Sequence, residues 1–191
     1  MQEDLAIFQP GHVGSLWRIK SGVVLITGYT NQTVVTGIVQ NEPDGTAGDL
    51  ETTTTETDWA EGEFSDYRGW PATCTFHEGR LWYAATNSAP QKFWGSVVFA
   101  YDDFEIGADD DNAVIFEIAS NEVNSIRWLK STPKSLQIGT SAGTFSAVGS
   151  AGSPITATSI IVQNDTNYGV AHTLPQKISS YLYYIQRNLF Q

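Results

Sequence analysis

Residues 80–86, RLWYAAT, place a leucine at the start of a short apolar run that is rich in aromatic side chains. Two later runs have the same form, residues 135–140 (SLQIGT) and residues 181–185 (YLYYI). The leucines of the three runs are 55 and then 46 residues apart. Four-stranded blades of β-propellers recur about every 40–50 residues, so this spacing favours a propeller over a sandwich.

The rest of the sequence also predicts an all-β chain. Twenty Thr and 17 Gly, together with many Val, Ile, Tyr, Phe and Trp, suit strands and tight turns. No twelve-residue window carries the i, i+3, i+4, i+7 apolar stripe of an amphipathic helix. Alternating or short apolar segments predict strands over residues 16–20, 23–27, 33–39, 72–76, 80–85, 92–98, 113–118, 125–129, 135–139, 144–148, 159–163 and 179–186.

The chain divides into two parts by composition. Residues 41–58 are polar and acidic, which is typical of a long surface loop. We therefore expect residues 1–58 to form an N-terminal β segment with a long polar loop. Residues 59–191 are expected to form a partial or small β-propeller built from short antiparallel sheets. The chain ends directly after one of the repeated strands, which indicates a piece of a longer protein.

Charge and composition exclude several classes of function. Ten Lys and Arg against 21 Asp and Glu give a net charge of −11, which argues against capture of nucleic acid or of anionic lipid. The longest apolar runs are far below the roughly 20 residues that cross a bilayer. The acidic start, MQED, does not resemble a secretion signal. A single cysteine excludes an internal disulfide framework.

Ser141 lies in the sequence Gly139-Thr140-Ser141-Ala142-Gly143, which matches the G-x-S-x-G nucleophile elbow of hydrolases. That elbow requires a helix directly after the serine. Here the following residues, 144–148, alternate as a strand does. The stretch is therefore interpreted as the turn of a β-hairpin, with a hydrolase using Ser141 as the alternative.

The acidic segment that contains Asp102, Asp103 and residues 109–111 has oxygen ligands suited to a hard cation. It lacks the alternation and the central glycine of an EF-hand loop. The favoured interpretation is a solvated loop whose Asp and Asn side chains cap their own backbone turns. Whether residues 102–112 bind a cation stays open at this point, and paired carboxylates for glycoside hydrolysis are a weaker alternative.

Histidine, cysteine and tryptophan residues supply the remaining candidates. The three histidines, His12, His77 and His172, are too scattered to form a metal motif, and His77 is expected at a strand end. Cys74 is expected to be a small buried hydrophobic residue. The tryptophans Trp59, Trp70, Trp82 and Trp94 are interpreted as core residues, with a sugar-stacking platform as the alternative.

A more specific pattern covers residues 59–145. The residues that carry it are Trp59, Gly69, Trp70, Pro71, residues 76–84 (FHEGRLWYA), Thr86, Pro90, Trp94, Gly95, Ser96, residues 101–104 (YDDF), residues 109–111, Ser120, Val123, Asn124, Ser125, Ile126, Leu136, Gly139 and Thr140. This pattern resembles the tail nozzle proteins, or tail tubular protein B, of short-tailed double-stranded-DNA phages and related prophage proteins. The segments Pro10-Gly11-His12-Val13-Gly14 and Trp17, and later Gly169 and Pro175, fit the same resemblance.

The resemblance implies a structural virion protein of the phage tail that lines or surrounds the DNA exit channel. Its partners would be adaptor and fibre proteins of the tail and further copies of itself in a ring. DNA would pass as transit cargo without tight binding, and no membrane insertion is expected. The protein would be made in the host cytoplasm and reside in the virion. The family offers no catalytic, cofactor-binding or metal-binding residues, so no enzyme activity and no cofactor are expected.

The rival hypothesis is a carbohydrate-binding propeller that recognises a host surface glycan through Trp59, Trp70 or Trp82.

Overall fold

A computed structural model describes residues 7–20, 22–41, 58–119, 124–179 and 181–187. Within these ranges the fold is all-β, with four antiparallel sheets and short 3-10 helices at Pro10–His12 and Ser150–Gly152. The all-β prediction is confirmed. The described sheets do not close into a ring. The chain divides into two compact units, Met1–Trp70 and Pro71–Gln191.

The first unit contains one four-stranded sheet. Its strands are β1 (Leu16–Ile19), β2 (Gly22–Asn31), β3 (Val34–Asn41) and β4 (Trp59–Glu61), in the order β3-β2-β1-β4. β4 pairs with β1 through Ile19 and Trp59, so residues 59–61 belong to this sheet, whereas the sequence had placed them with the blades. The polar loop expected over residues 41–58 lies outside the described residues except for its two ends.

The second unit begins with two four-stranded sheets in which sequential strands pair. The first meander consists of β5 (Thr73–His77), β6 (Arg80–Ala84), β7 (Lys92–Gly95) and β8 (Val114–Glu117). The second meander consists of β9 (Ile126–Ser131), β10 (Leu136–Thr140), β11 (Thr144–Gly149) and β12 (Ile160–Thr166). This consecutive order is the simplest way to form an antiparallel sheet, because strands that follow one another in the chain also pair side by side.

A third sheet follows with two strands, β13 (Gln176–Ile178) and β14 (Tyr181–Tyr183), which we call the C-terminal hairpin. Beyond it, Val170 pairs with Gln186 in an isolated bridge. Backbone hydrogen bonds at Ile126 and Val170 link segments of the unit that are distant in sequence. The N–H of Ile126 donates to the carbonyl of Pro90 over 2.9 Å, and the N–H of Val170 donates to the carbonyl of Thr140 over 2.9 Å.

One hydrophobic core lies between the two meanders. Its members come from both sheets: Trp82, Ala84, Ala85, Phe93, Val114, Ile118, Ile126, Leu129, Leu136, Ile138, Phe145, Ala147 and Ile155. On the opposite face of the second meander, the ring of Trp128 packs against Tyr184, which directly follows the C-terminal hairpin, with ring centroids 5.8 Å apart. The two meanders therefore pack face to face, and burial of apolar area between them drives the packing.

The leucine repeat falls on the second strand of each of these sheets, but its residues do not occupy equivalent positions. Leu136 is fully buried in the core, while Leu81 is half-buried on the other face of β6 from Trp82. A shift of one residue along a strand moves the side chain to the opposite face. By strand position Arg80, rather than Leu81, corresponds to Leu136, because each is the first residue of its strand.

Candidate functional site

His77 joins the two meanders at the end of β5. Its Nδ1 lies 2.9 Å from the hydroxyl of Ser131 on β9, and its Nε2 lies 3.8 Å from the Glu78 carboxylate. Burial lowers the pKa of His77, and Glu78 opposes that shift, so the ring is neutral near pH 7. The expected strand-end position is confirmed. The hydrogen-bond partner of His77 is the hydroxyl of Ser131.

The buried side chain of Arg80 holds the backbone of the acidic loop through hydrogen bonds. Its side chain is buried, and its guanidinium donates to the carbonyls of Ser96 and Asn112 over 2.6 Å each, of Asp110 over 2.6 Å and of Asp111 over 3.1 Å. Burial lowers the pKa of Arg80, while the nearby carboxylates, Asp111 foremost, oppose that shift. A planar guanidinium presents five donors, so it can satisfy several carbonyls at once. The sequence did not reveal this role.

Ser141 lies in the hairpin turn between β10 and β11, as predicted, because a strand and not a helix begins at Thr144. Its hydroxyl oxygen accepts the N–H of Ser125 over 3.1 Å. Thr140 closes the same turn, since its hydroxyl donates to the Gly143 carbonyl and accepts the Gly143 N–H. The strand–turn–helix context of a nucleophile elbow is therefore missing at this described site.

The acidic segment forms turns that its own side chains cap, which confirms the favoured interpretation. The N–H of Glu105 donates to the Asp103 carboxylate over 2.8 Å, and the N–H of Asp109 donates to the Asn112 amide oxygen over 3.0 Å. Among the residues that the structure describes, no three His, Cys, Asp or Glu side chains are grouped so that they could hold a metal ion.

The tryptophans separate into buried and exposed members. Trp82 is 0% exposed, so it presents no face to a sugar, and Trp94 is 1% exposed. Trp59 and Trp70 are 42% and 57% exposed, which contradicts a core position for these two. Trp59 stacks on Trp17 with ring centroids 5.4 Å apart, and the indole N–H of Trp70 donates to the Asp66 carboxylate.

His12 forms part of a separate polar cluster in the first unit. It is 1% exposed, and its Nε2 lies 3.1 Å from Glu61. The guanidinium of Arg68 donates two hydrogen bonds to the same carboxylate, which raises the pKa of Arg68. The ring of His12 packs edge-on against Trp17 and Tyr67 at 5.3 Å and 4.8 Å. This arrangement holds the 3-10 turn at Pro10–His12 and buries the imidazole away from any ligand.

Two open clefts occur in the described part of the second unit. The first, of about 460 Å³, is lined by Thr86, Ser125, Arg127 and His172 among others. Arg127 donates to the Val170 carbonyl over 2.5 Å, and burial, aided by Arg187, lowers its pKa. The second cleft, of about 670 Å³, is lined by residues that include Glu78, Arg80 and Phe99. His77 and Ser131 line neither of these two clefts, and their contact joins the two meanders.

The face of the first meander that points away from the second meander, which we call the outer face of the first meander, is largely apolar and carries the cross-strand pair Lys92 and Glu117. Cross-strand pairing places on it Cys74, Phe76, Leu81, Tyr83, Trp94 and Ile115. The loop after β7 partly covers this face, since Tyr101 packs edge-on against Phe76 at 5.0 Å and Phe104 stacks on Tyr83 at 5.5 Å. Phe76 remains 61% exposed. Cys74 is exposed, so the expectation of a buried cysteine is wrong, because its position in β5 points away from the core.

The C-terminal hairpin is largely exposed, since all three residues of β13 and two of the three in β14 are exposed. Ile178 pairs with Tyr181, and these side chains are 62% and 71% exposed. Tyr183 and Ile185 follow at alternate positions and are exposed as well, while Tyr184 between them turns inward to Trp128. Sequence reasoning missed the outer face of the first meander and the exposure of the hairpin. The signal was present: β6 is apolar at consecutive positions, which is typical of a strand covered on both faces.

A scan against protein-family models found no match to this chain, and a search of curated proteins found none either. The fold therefore defines the class by itself: an all-β protein of successive antiparallel sheets. No helix in the described ranges is both long and apolar enough to cross a membrane.

Proposed function

We propose that this chain is a structural, non-enzymatic component of the tail of a short-tailed double-stranded-DNA phage, in or near the nozzle, and that its sheets are blades of a β-propeller. The observation that carries the proposal is the succession of sheets in the second unit. Two meanders with consecutive strand order pack face to face around one core, and a third sheet follows them in the chain; propeller blades follow one another in this way.

The chemistry of the residues behind the sequence resemblance supports the proposal. Arg80 is buried and binds four backbone carbonyls, and Trp82 packs across Gly95 on the neighbouring strand. Thr140 holds a turn through its bond to the Gly143 carbonyl, and its hydroxyl lies 3.3 Å from the Asn124 amide oxygen. These side chains stabilise sheets and loops, and such stabilising contacts suit a structural protein.

The net charge supports the same proposal. A conduit has to let DNA pass without gripping it, and a chain of net charge −11 repels phosphate. In this proposal the protein resides in the virion, assembles into a ring with copies of itself, and contacts adaptor and fibre proteins of the tail.

Electron microscopy of the purified full chain tests the proposal. We expect closed rings with a central opening at high protein concentration, and an antibody against the chain should label the tail tip of virions from the encoding phage. Absence of the chain from purified tails would contradict the proposal.

A glycan-binding propeller is the rival function, and the exposure of Trp59 and Trp70 is the observation that favours it. A glycan array combined with tryptophan fluorescence separates the two. A lectin should change its emission with a particular sugar and lose that response in Trp70→Ala, whereas a nozzle component should show no sugar-dependent change.

A further inference from the structure

We propose that the first cleft of the second unit binds one oxyanion group of a small ligand, a carboxylate or a phosphate, and that Arg127 holds this group. Such a site goes beyond the proposed function and does not depend on it, because it involves one copy of the chain and no partner protein.

The first cleft lies where the two meanders meet the segment before the C-terminal hairpin, and its volume is about 460 Å³, a size typical of small-molecule sites. None of the described residues that line it is an Asp or a Glu, although the chain carries 21 of these against 10 Lys and Arg. The lining therefore suits a ligand that accepts hydrogen bonds and is negatively charged. Its polar side chains, each of which can donate a hydrogen bond, are Thr73, Thr86, Asn87, Ser125, Arg127 and His172.

The backbone sets Arg127 apart from its neighbours in β9. Ile126 and Trp128 lie opposite successive residues of β10, whereas Arg127 between them has no opposite residue. Arg127 is therefore the additional residue of a β-bulge. Bulges redirect a side chain and are over-represented beside active sites. Here the residue at the bulge lines the cleft.

The charge of Arg127 is not neutralised by any carboxylate that the structure describes. Its guanidinium donates to the Val170 carbonyl over 2.5 Å, and the remaining four of its five N–H donors can serve a ligand. Arg18 and Arg68, by contrast, are each paired with a carboxylate. Burial lowers the pKa of Arg127, and the neighbouring charge of Arg187 lowers it further. An anion bound at Arg127 would relieve this repulsion between two cations.

The geometry of a guanidinium selects the chemistry of the ligand. Its planar fork matches the paired oxygens of a carboxylate or a phosphate, and such charge-assisted bonds are about twice as strong as bonds between neutral groups. The bond to Val170 holds the guanidinium in place before the ligand arrives. One guanidinium neutralises one anionic group, whereas a DNA duplex needs several such contacts, so the cleft suits a small ligand.

Nuclear magnetic resonance titrations of the full chain test the site. Inorganic phosphate is the probe in one titration and acetate in the other, which separates the two sources of the oxyanion. We expect at least one probe to shift the backbone amide signals of residues 125–127 and 170–172 in a saturable way. Saturation with phosphate alone identifies a phosphate ligand, and saturation with acetate alone identifies a carboxylate. No local shift with either probe at tens of millimolar would overturn the site.

Substitution of Arg127 supplies the second measurement. Arg127→Gln should raise the dissociation constant of the bound probe about tenfold or more, because it removes the charge and the fork. Arg127→Lys keeps the charge and a donor for the Val170 carbonyl but loses the planar fork, so it should also bind more weakly. Lys177→Gln is the matched control, since it removes an exposed cation of the same unit that does not line the cleft.

The remaining outcomes are equally decisive. Amide signals outside the cleft show whether each variant keeps its fold. Unchanged affinity in a folded Arg127→Gln, or equal losses in Arg127→Gln and Lys177→Gln, would overturn the site, because overall charge alone would then explain the binding. Full affinity in Arg127→Lys would overturn the role of the fork. None of these results alters the proposed assembly in the phage tail, which electron microscopy measures separately.

Discussion

The backbone N–H of Ile155 donates a hydrogen bond of 2.7 Å to the carboxylate of Glu78, which ties the turn between β5 and β6 to the segment between β11 and β12. The two residues are 77 positions apart and belong to different meanders. Farther along the same junction the N–H of Ile126 donates to the carbonyl of Pro90. The meanders are therefore joined by polar bonds at more than one place around their shared apolar core.

The Glu78 bond leads to a first prediction. Glu78→Ala should lower the free energy of unfolding by about 1 kcal/mol, because it removes the acceptor of a buried N–H while its own side chain is partly exposed. Glu78→Gln should lower the free energy of unfolding by less, since the glutamine side chain keeps an acceptor oxygen. Hydrogen exchange should show faster exchange of the Ile155 amide in Glu78→Ala and no change in Glu117→Ala. Equal protection of Ile155 in all variants would contradict the bond.

Replacement of Arg80 should be more severe. Arg80→Met retains much of the apolar stem but leaves the carbonyls of Ser96, Asp110 and Asn112 without their donor, so we expect a loss of about 2–4 kcal/mol in urea unfolding. Arg18→Met is the matched control, because Arg18 forms an exposed pair with Asp58 and should change stability little. Similar losses in both variants would show that the buried guanidinium has no special role.

Gly139 allows close approach of Trp128 from the neighbouring strand. A Cβ at position 139 would lie 2.2 Å from the Trp128 ring, whereas one at Gly95 would lie 2.9 Å from Trp82. Gly139→Ala should therefore destabilise the protein by about 1–3 kcal/mol and by more than Gly95→Ala does. Thermal unfolding of the two variants shows which substitution destabilises the protein more. In the double variant Trp128→Phe/Gly139→Ala, the smaller ring should recover part of the stability that Gly139→Ala loses. If the stability losses of the two single variants simply add in the double variant, the steric explanation is contradicted.

His77 predicts a pH dependence of stability. Its pKa is lowered in the folded state by burial, so the unfolded chain, with a histidine pKa of about 6.5, binds the proton more readily. The contribution of the neutral His77 to stability is fully present above the unfolded value of about 6.5, and it is lost as the pH falls from there through the lowered folded pKa, because unfolding then takes up a proton. Unfolding free energies at pH 7 and pH 5 should differ less in His77→Gln than in the natural chain. His172→Gln, at an exposed site, should leave the difference unchanged.

DNA binding should be weak. The ten cations are Arg18, Lys20, Arg68, Arg80, Lys92, Arg127, Lys130, Lys134, Lys177 and Arg187. Arg80 is buried, and Arg18 and Arg68 are paired with carboxylates. Non-specific duplex binding reaches only about 10⁻⁴–10⁻⁶ M even where several phosphates are neutralised. Fluorescence anisotropy at about 150 mM salt should show affinity at the weak end of that range. Submicromolar binding with a steep salt dependence would reveal a cationic face on the protein. It would contradict the proposal that the chain is part of a conduit through which DNA passes without tight binding.

The sequence by itself determined the fold class and the positions of most strands. Period-two runs predicted strands that the structure places within a few residues, such as β6 and β10, because strand side chains alternate and their pattern is local. The turn at residues 141–143 was also predictable, since the strand pattern after it left no room for a helix. The strands β4 and β13 were missed, because their three residues, WAE and QKI, form no apolar or alternating run.

Only the tertiary structure decided which face of each strand is buried. Trp82 is in the core and Trp70 is exposed, and Leu136 is buried where Leu81 is not, although these pairs look alike in sequence. Cys74 was assigned to the core for the same reason and lies outside it. Burial depends on which sheet packs against which, and that contact joins residues far apart in the chain. The role of Arg80 follows the same rule, because its carbonyl partners come from a loop that folds back more than ten residues later.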